Sequence, residues 1–354
     1  MKIIINDIAA STGGALSILQ DFYQTIKTYD SENEYIFLLS DAYIEETDNI
    51  KIKLFPKVKK SGLRKLFFDC VIGKRVINGL RPDIVLSLQN IITFGVKCPQ
   101  IVYIHQPIPY QKEKQFSLLK KEERIYAVYQ KIIGLLIDKS ARGADKVIVQ
   151  TKWMQKAVCE RAKVDISKII QIMPDIMDIE TKSGREKPNS RKFFYPTGEV
   201  LYKNISCIEK ACAILRDWKI WDFQVVLTTE KSEDKNIKCI GYVSREEVFQ
   251  WYQKSTLLFP SYIETFGMPL AEMRKMAGVV LAADCEYSRE VLDGYVNAYY
   301  FNYNSPEELA SLMKKVIKGD ISVNQGDIVE GGCNAPNSWE RVLEVMLCYV
   351  DSGL

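Results

Sequence analysis

Two glutamates, Glu264 and Glu272, flank the turn in SYIETFGMPLAE (261–272), with seven residues between them. A carboxylate in such a place can accept two hydrogen bonds from a vicinal diol, as in a ribose or hexose. Pro269 suits the first turn of a helix, so PLAEMRKMA predicts a helix emerging from ETFGM, with Glu272 in its first turn. The amides of Phe266, Gly267 and Met268 would then be free to hold phosphate or sugar oxygens. Plainer readings stand beside these: a first-turn Glu favoured by the helix dipole, and a solvated loop residue at 264.

Three more places could carry chemistry. His105, the one histidine of the chain, ends the predicted strand QIVYIHQ, where site residues collect. Its imidazole could hydrogen-bond a substrate hydroxyl without acting as a base. Lys203 lies in FFYPTGEVLYKNIS, after a predicted strand and before a helix, where a cation and a helix N-terminus can share a phosphate. Gly13 and Gly14 in STGGALS allow close backbone approach, although STGG is neither GxGxxG nor a P-loop. The plainer readings are a structural histidine, an exposed lysine and a turn that needs glycine for its geometry.

The elements that must position these residues alternate. KIIIND, EYIFLLS (34–40), DIVLSL (83–88), QIVYIHQ (100–106), DKVIVQT and KIIQIMP read as strands. ALSILQDFYQTIKTY, the long stretch 121–144 and KWMQKAVCERA, capped by Thr151, read as helices. The pattern restarts after a polar stretch: KFFYPTG, DFQVVLTT, IKCIGYV, TLLFPS and GVVLAAD as strands, with helices between and SWERVLEVMLCYV (338–350) at the end. Alternation of this kind argues for α/β domains built on parallel sheets covered on both faces. The expected division is 1–175, a linker over 176–190, a second domain over 191–335 and a terminal helix over 336–354. Two such halves facing each other would leave a cleft lined by strand carboxyl ends, where ligands prefer to bind.

Composition narrows the function. The chain has 354 residues, which suits two domains. A net charge of +3 gives no nucleic-acid signal. Nine scattered cysteines without a CxxC argue against a disulfide framework or zinc site and fit a reducing cytoplasm. One histidine excludes a multi-histidine metal centre. The longest apolar runs, such as IIGLLI at 132–137, fall short of a membrane span, and MKIIINDIAAS is too short for a signal peptide.

With these residues in place, ETFGMPLAE resembles the E-x-F-G-x-P-x-x-E signature of family-four retaining glycosyltransferases, which have the GT-B fold. The likeness covers nearly the whole chain. STGGALSIL resembles the N-terminal Gly-Gly loop, ARGADKVIVQTKWMQKAV the segment closing the first domain, and LYKNISCIEKA the lysine-asparagine segment opening the second. GYVSREEVFQWYQKSTLLFPS and YSREVLDG resemble the flanks of the signature, and NSWERVLEVML the helix that crosses back to the N-terminal domain. The resemblance implies two Rossmann-like domains, an acceptor-binding N-terminal one and a nucleotide-sugar-binding C-terminal one.

It also implies roles. Glu272 would bind ribose hydroxyls, Glu264 the donor sugar, and the amides of Thr265, Phe266, Gly267 and Met268 sugar and diphosphate oxygens. Lys203 would neutralise the leaving diphosphate, Gly13 and Gly14 would let the first domain's loop close over the phosphates, and His105 would touch the donor sugar. Tyr242 and Val243 would contact the base. The expected activity moves a hexose-type sugar from a nucleotide diphosphate sugar to a hydroxyl of a saccharide, with retention and by front-face attack. There is no DxD motif, so no metal and no other cofactor is expected.

Two positions depart from the family pattern. Glu199 stands where the family has a diphosphate-binding arginine; Arg191, Lys192 and Arg245 are the candidate replacements. Gln106 stands where many members have aspartate. The segment 54–76 mixes seven basic residues with Leu, Phe, Val and Ile, which fits either peripheral docking on anionic lipid headgroups at the inner face of the cell membrane or a solvated basic helix packed on the core. Docking would suit a lipid-linked acceptor in polysaccharide assembly. The rival readings are a non-catalytic sugar-nucleotide or glycan binder on the same fold, supported by Glu199, and a sugar-nucleotide epimerase, which one histidine disfavours. A Rossmann dehydrogenase lacks its GxGxxG.

Overall fold

The computed structural model describes residues 1–11, 13–176, 189–324 and 338–351. Residues 177–188, most of the expected linker, lie outside the described residues. The chain divides into two compact units, each an α/β sandwich. The first takes in Met1–Lys120, Arg124–Asp175 and the C-terminal helix; the second takes in the described residues from Ile176 to 324.

The first unit has seven strands: β1 (Lys2–Asn6), β2 (Glu34–Leu39), β3 (Ile50–Leu54), β4 (Ile84–Ser87), β5 (Gln100–Ile104), β6 (Lys146–Val149) and β7 (Ile169–Gln171). They pair in parallel in the order β3-β2-β1-β4-β5-β6-β7. β1 is interior, and its three consecutive isoleucines are fully buried because helices cover both faces of the sheet. β3 was not among the expected strands. Its sequence, IKIKL, alternates with exposed Lys51 and Lys53, the composition of a sheet edge closed to further pairing.

The expected helix over 121–144 runs from Arg124 to Gly143, with a π turn at Tyr129–Ile133. The C-terminal helix Ser338–Asp351 packs into the first unit. Trp339 stands 5.4 Å from the Phe22 ring and 5.5 Å from the Tyr103 ring, which fixes it in this core.

The second unit has six parallel strands: β8 (Lys192–Tyr195), β9 (Gln224–Leu227), β10 (Ile237–Cys239), β11 (Thr256–Phe259), β12 (Val280–Ala283) and β13 (Ala298–Phe301), in the order β10-β9-β8-β11-β12-β13. β13, also unforeseen, pairs with β12 from Ala298 to Phe301. In each sheet the order reverses beside the first strand of its unit, between β1 and β4 and between β8 and β11. In open α/β sheets, ligands bind at the carboxyl ends of the strands at this switch point.

Candidate functional site

In the second unit the switch point holds Lys203 and Glu264. β8 runs into a loop, a 3-10 turn at Leu201–Lys203 and the helix Ile205–Asp217. Asn204, left-handed at φ 58°, joins turn to helix, and its side-chain amide donates to the carbonyls of Pro260 (3.3 Å) and Tyr303 (2.9 Å). β11 runs into the loop that carries Glu264. The two loops are tied together: the Tyr262 amide donates to the Tyr202 carbonyl at 3.1 Å. Lys203 Nζ therefore lies 2.5 Å from Glu264 Oε1, which also accepts from Ser261 Oγ at 2.7 Å. Both side chains are largely shielded, at 22% and 17% exposure. Glu264 is thus no solvated loop residue; it is aimed by a hydroxyl and paired with the lysine.

Gly267 has φ 86°, a region open to glycine at little cost. It starts the helix Met268–Lys275, with Pro269 in the first turn as expected. Glu272 is the fifth residue of that helix, so it lies beyond the first turn. There it is 1% exposed, which rules out a first-turn residue kept for the helix dipole. Tyr252 donates to Glu272 Oε2 at 2.9 Å, and Arg245 Nη2 stands 2.7 Å from Oε1. Burial and the Glu272 carboxylate both push the Tyr252 phenol well above its ordinary range, so it remains a donor. Tyr242 follows Gly241 (φ 69°) and is 98% exposed; Val243 is half-buried. A tyrosine so fully exposed has a face free for stacking.

In the first unit, His105 follows β5. Its backbone amide donates to Asn90 Oδ1 at 2.7 Å, which turns the Asn90 amide nitrogen towards His105 Nε2 at 3.3 Å. Nε2 is then the acceptor and Nδ1 carries the proton. Nδ1 is buried and has no partner. Burial holds the imidazole down at about 4, so it is neutral and offers an N–H rather than a base.

The helix Gly13–Tyr29 begins at Gly13, which puts both glycines in the helix and not in the preceding loop. A Cβ added at Gly14 would meet nothing within 4 Å. The surrounding protein does not call for glycine there, whereas close approach of a ligand would.

The β1/β4 switch point carries a polar cluster that was not anticipated. Asn6 Oδ1, Asp7 Oδ2 and Gln89 Oε1 are buried without partners. Gln89 donates to Asp69, which Lys65 meets at 2.7 Å. Burial pushes Asp7 up to about 7, against the pull of Lys65, the Ala10 amide and Lys59.

Residues 222–326 match the family model described as Glycosyl transferases group 1. The likeness to that family by sequence is confined to this segment. The segment contains Arg245, Glu264 and Glu272; Lys203 precedes it. No curated protein matches the chain by sequence. Among solved structures, the lipopolysaccharide outer core galactosyltransferase WaaB, apo form, is 16% identical, with a TM-score of 0.62 over 99% of this chain and 100% of its own. WaaG, a glycosyltransferase involved in lipopolysaccharide biosynthesis, is 13% identical with a TM-score of 0.70 over 97% and 99%. HepE of Anabaena, in complex with UDP and glucose, is 14% identical with a TM-score of 0.62 over 100% and 98%. At such identities the likeness establishes the fold, which is that of the GT-B glycosyltransferases.

The matched segment and the strand that precedes it separate the three candidate replacements for the missing arginine. Arg191 and Lys192 sit at the amino end of β8, and Arg191 pairs with Asp222. That is the end of the strands opposite to Lys203. Arg245 alone of the three stands beside a site glutamate. Glu199 is exposed and accepts from the Glu230 amide at 3.3 Å. Composition carried no trace of Ser261, Tyr252 or Asn90 as orienting groups. Ser261, three residues before Glu264, was the one legible from spacing.

Proposed function

We propose that the chain moves a hexose-type sugar from a nucleotide diphosphate sugar to a hydroxyl of a saccharide acceptor, with retention and without a metal. The observation that carries the reading is the Lys203–Glu264 pair at the β8/β11 switch point, beside the buried Glu272. Glu272 takes the ribose diol and Glu264 the donor sugar. The C1–O bond to the diphosphate breaks as positive charge grows on the sugar. The departing oxygens meet Lys203 and the N-termini of the helices Ile205–Asp217 and Met268–Lys275. The acceptor oxygen bonds C1 from the same face, and its proton passes to the leaving phosphate. Tyr242 and Val243 flank the base.

A thermal-shift screen against sugar nucleotides tests this reading. A ligand present at a hundred times its Kd stabilises the folded state by about 2.7 kcal/mol. At least one sugar nucleotide should raise the midpoint, and its bare nucleoside diphosphate should do so as well. Stabilisation by no member of the panel would count against the donor site.

The acceptor is proposed to be lipid-linked, reached at an anionic membrane surface through 54–76. Leu54, Leu63, Phe67, Val71 and Ile72 are exposed there, interspersed with exposed Lys57, Lys60, Arg64 and Arg75. Lys59 and Lys65 turn inward, to the Ala9 carbonyl and to Asp69. No helix among the described residues is long and apolar enough to cross a membrane. Flotation with anionic vesicles should carry the protein upward, and charge reversal at Lys57, Lys60, Arg64 and Arg75 should release it. Binding that survives the reversal would remove the docking surface.

A further inference from the structure

Glu272 presents an unusual arrangement. Its carboxylate is 1% exposed, while the arginine that balances it is 46% exposed and reaches in from the surface. Arg245 is the first residue of the helix Arg245–Lys254, whose start is fixed by a capping box between Ser244 and Glu247. A cation at a helix N-terminus is disfavoured by the dipole, so the helix gives no reason for an arginine here. The guanidinium passes 5.3 Å from the Phe249 ring, one turn on, and ends 2.7 Å from Glu272 Oε1. Yet Oε1 receives no well-directed hydrogen bond and is counted among the buried, unsatisfied oxygens. The pair balances charge without the fork geometry that makes Arg–carboxylate bonds strong and specific.

We propose that Arg245 is an exchangeable counter-ion: it holds Glu272 in the donor-free chain and turns to the donor's diphosphate once ribose hydroxyls take the carboxylate. The inference rests on the proposed sugar-nucleotide reading. A buried carboxylate without a partner is strongly unfavourable, so an empty ribose seat needs a cation. Two hydroxyl donors relieve that need and satisfy Oε1. The freed guanidinium then lies beside a ribose whose 5′ oxygen bears the first phosphate, and its planar fork matches phosphate oxygens. This supplies the second diphosphate cation that Glu199 cannot. It also places that cation on a half-exposed side chain able to swing, in contrast to the shielded Lys203.

The test separates nucleoside from diphosphate. The probe is whichever of ADP, CDP, GDP and UDP binds the wild-type chain most tightly, together with its own nucleoside, measured by calorimetry and by competition. Arg245→Met keeps the length and the contact with Phe249 but removes the charge. It should weaken the nucleoside diphosphate about tenfold to a hundredfold while leaving the nucleoside unchanged or tighter, because a competitor for Glu272 has gone. Equal weakening of both ligands would show that Arg245 only seats Glu272 and would overturn the exchange, as would no change in either. Should Arg245→Met fail to fold, Arg245→Lys serves: it keeps a charge for Glu272 and loses the fork, so a selective loss of diphosphate affinity supports the exchange and equal affinities overturn it. If none of the four nucleotides binds the wild-type chain, the donor reading fails and takes this inference with it.

Discussion

Replacing Lys203 with alanine should lower kcat/KM by about 10²–10³, the range seen when one preorganised charge stabiliser is removed from a reacting centre. The lysine is preorganised by its surroundings. The turn Leu201–Lys203 is tied to the β11 loop through the Tyr202 carbonyl, and Tyr195 donates to the Lys203 carbonyl at 3.2 Å. Glu264 and Ser261 then fix the ammonium. Glu264→Gln should act differently. Without the anion, Lys203 is free to meet the diphosphate, so nucleoside diphosphate affinity should hold or rise while turnover falls. The double variant should be far from additive, since the two groups share one bond. Steady-state kinetics of the four chains, with calorimetric binding of the nucleoside diphosphate, decide the matter. Additive losses, or a parallel loss of diphosphate affinity in Glu264→Gln, would mean that the pair is a structural tie and not a charge-handling device.

That pairing marks the limit of what the sequence could say. The placement of Glu264, Lys203 and His105 at strand ends or beside a helix start was legible because local spacing decides such positions, whereas Glu272 fell one turn deeper in its helix than spacing suggested. The architecture was legible for the same reason: continuous apolar strands alternating with amphipathic helices leave few alternatives to a covered parallel sheet. β3 was missed because its alternating IKIKL carries two lysines, and β13 because the AYYF segment is only half-buried along most of its length. Partners were invisible. Lys203 is 61 residues from Glu264, Tyr252 is 20 from Glu272, and Asn90 is 15 from His105. Only the crossover connections of the sheets bring them into reach. The plain readings of the two glutamates fell for one physical reason, burial, which a single sequence records only weakly at polar positions.

Asp7 illustrates the same point through stability. Asp7→Asn should raise the thermal midpoint at pH 8 and bring little benefit near pH 4. The aspartate follows β1 at 2% exposure, with Lys65 and Lys59 its charged neighbours and Oδ2 unpartnered. Its folded pKa is about 7, against an ordinary 3.8. Below pH 3.8 the group is neutral in both states and costs nothing. Across the window up to about 7 the unfolded chain gives up a proton that the folded chain retains, so stability falls as pH rises. At pH 8 the folded chain must bury a carboxylate, at a cost on the order of 4 kcal/mol at most. His105 works in the opposite sense. Its folded pKa of about 4 lies below its ordinary 6.5, so stability falls as pH drops through that window. The Asn variant isolates the first effect, because it leaves His105 in place and removes the alkaline loss. Unfolding midpoints of both chains from pH 4 to 8 should therefore diverge upward with pH. Parallel curves would mean that Lys59 and Lys65 already offset the burial of the Asp7 charge and that Asp7 is ionised throughout.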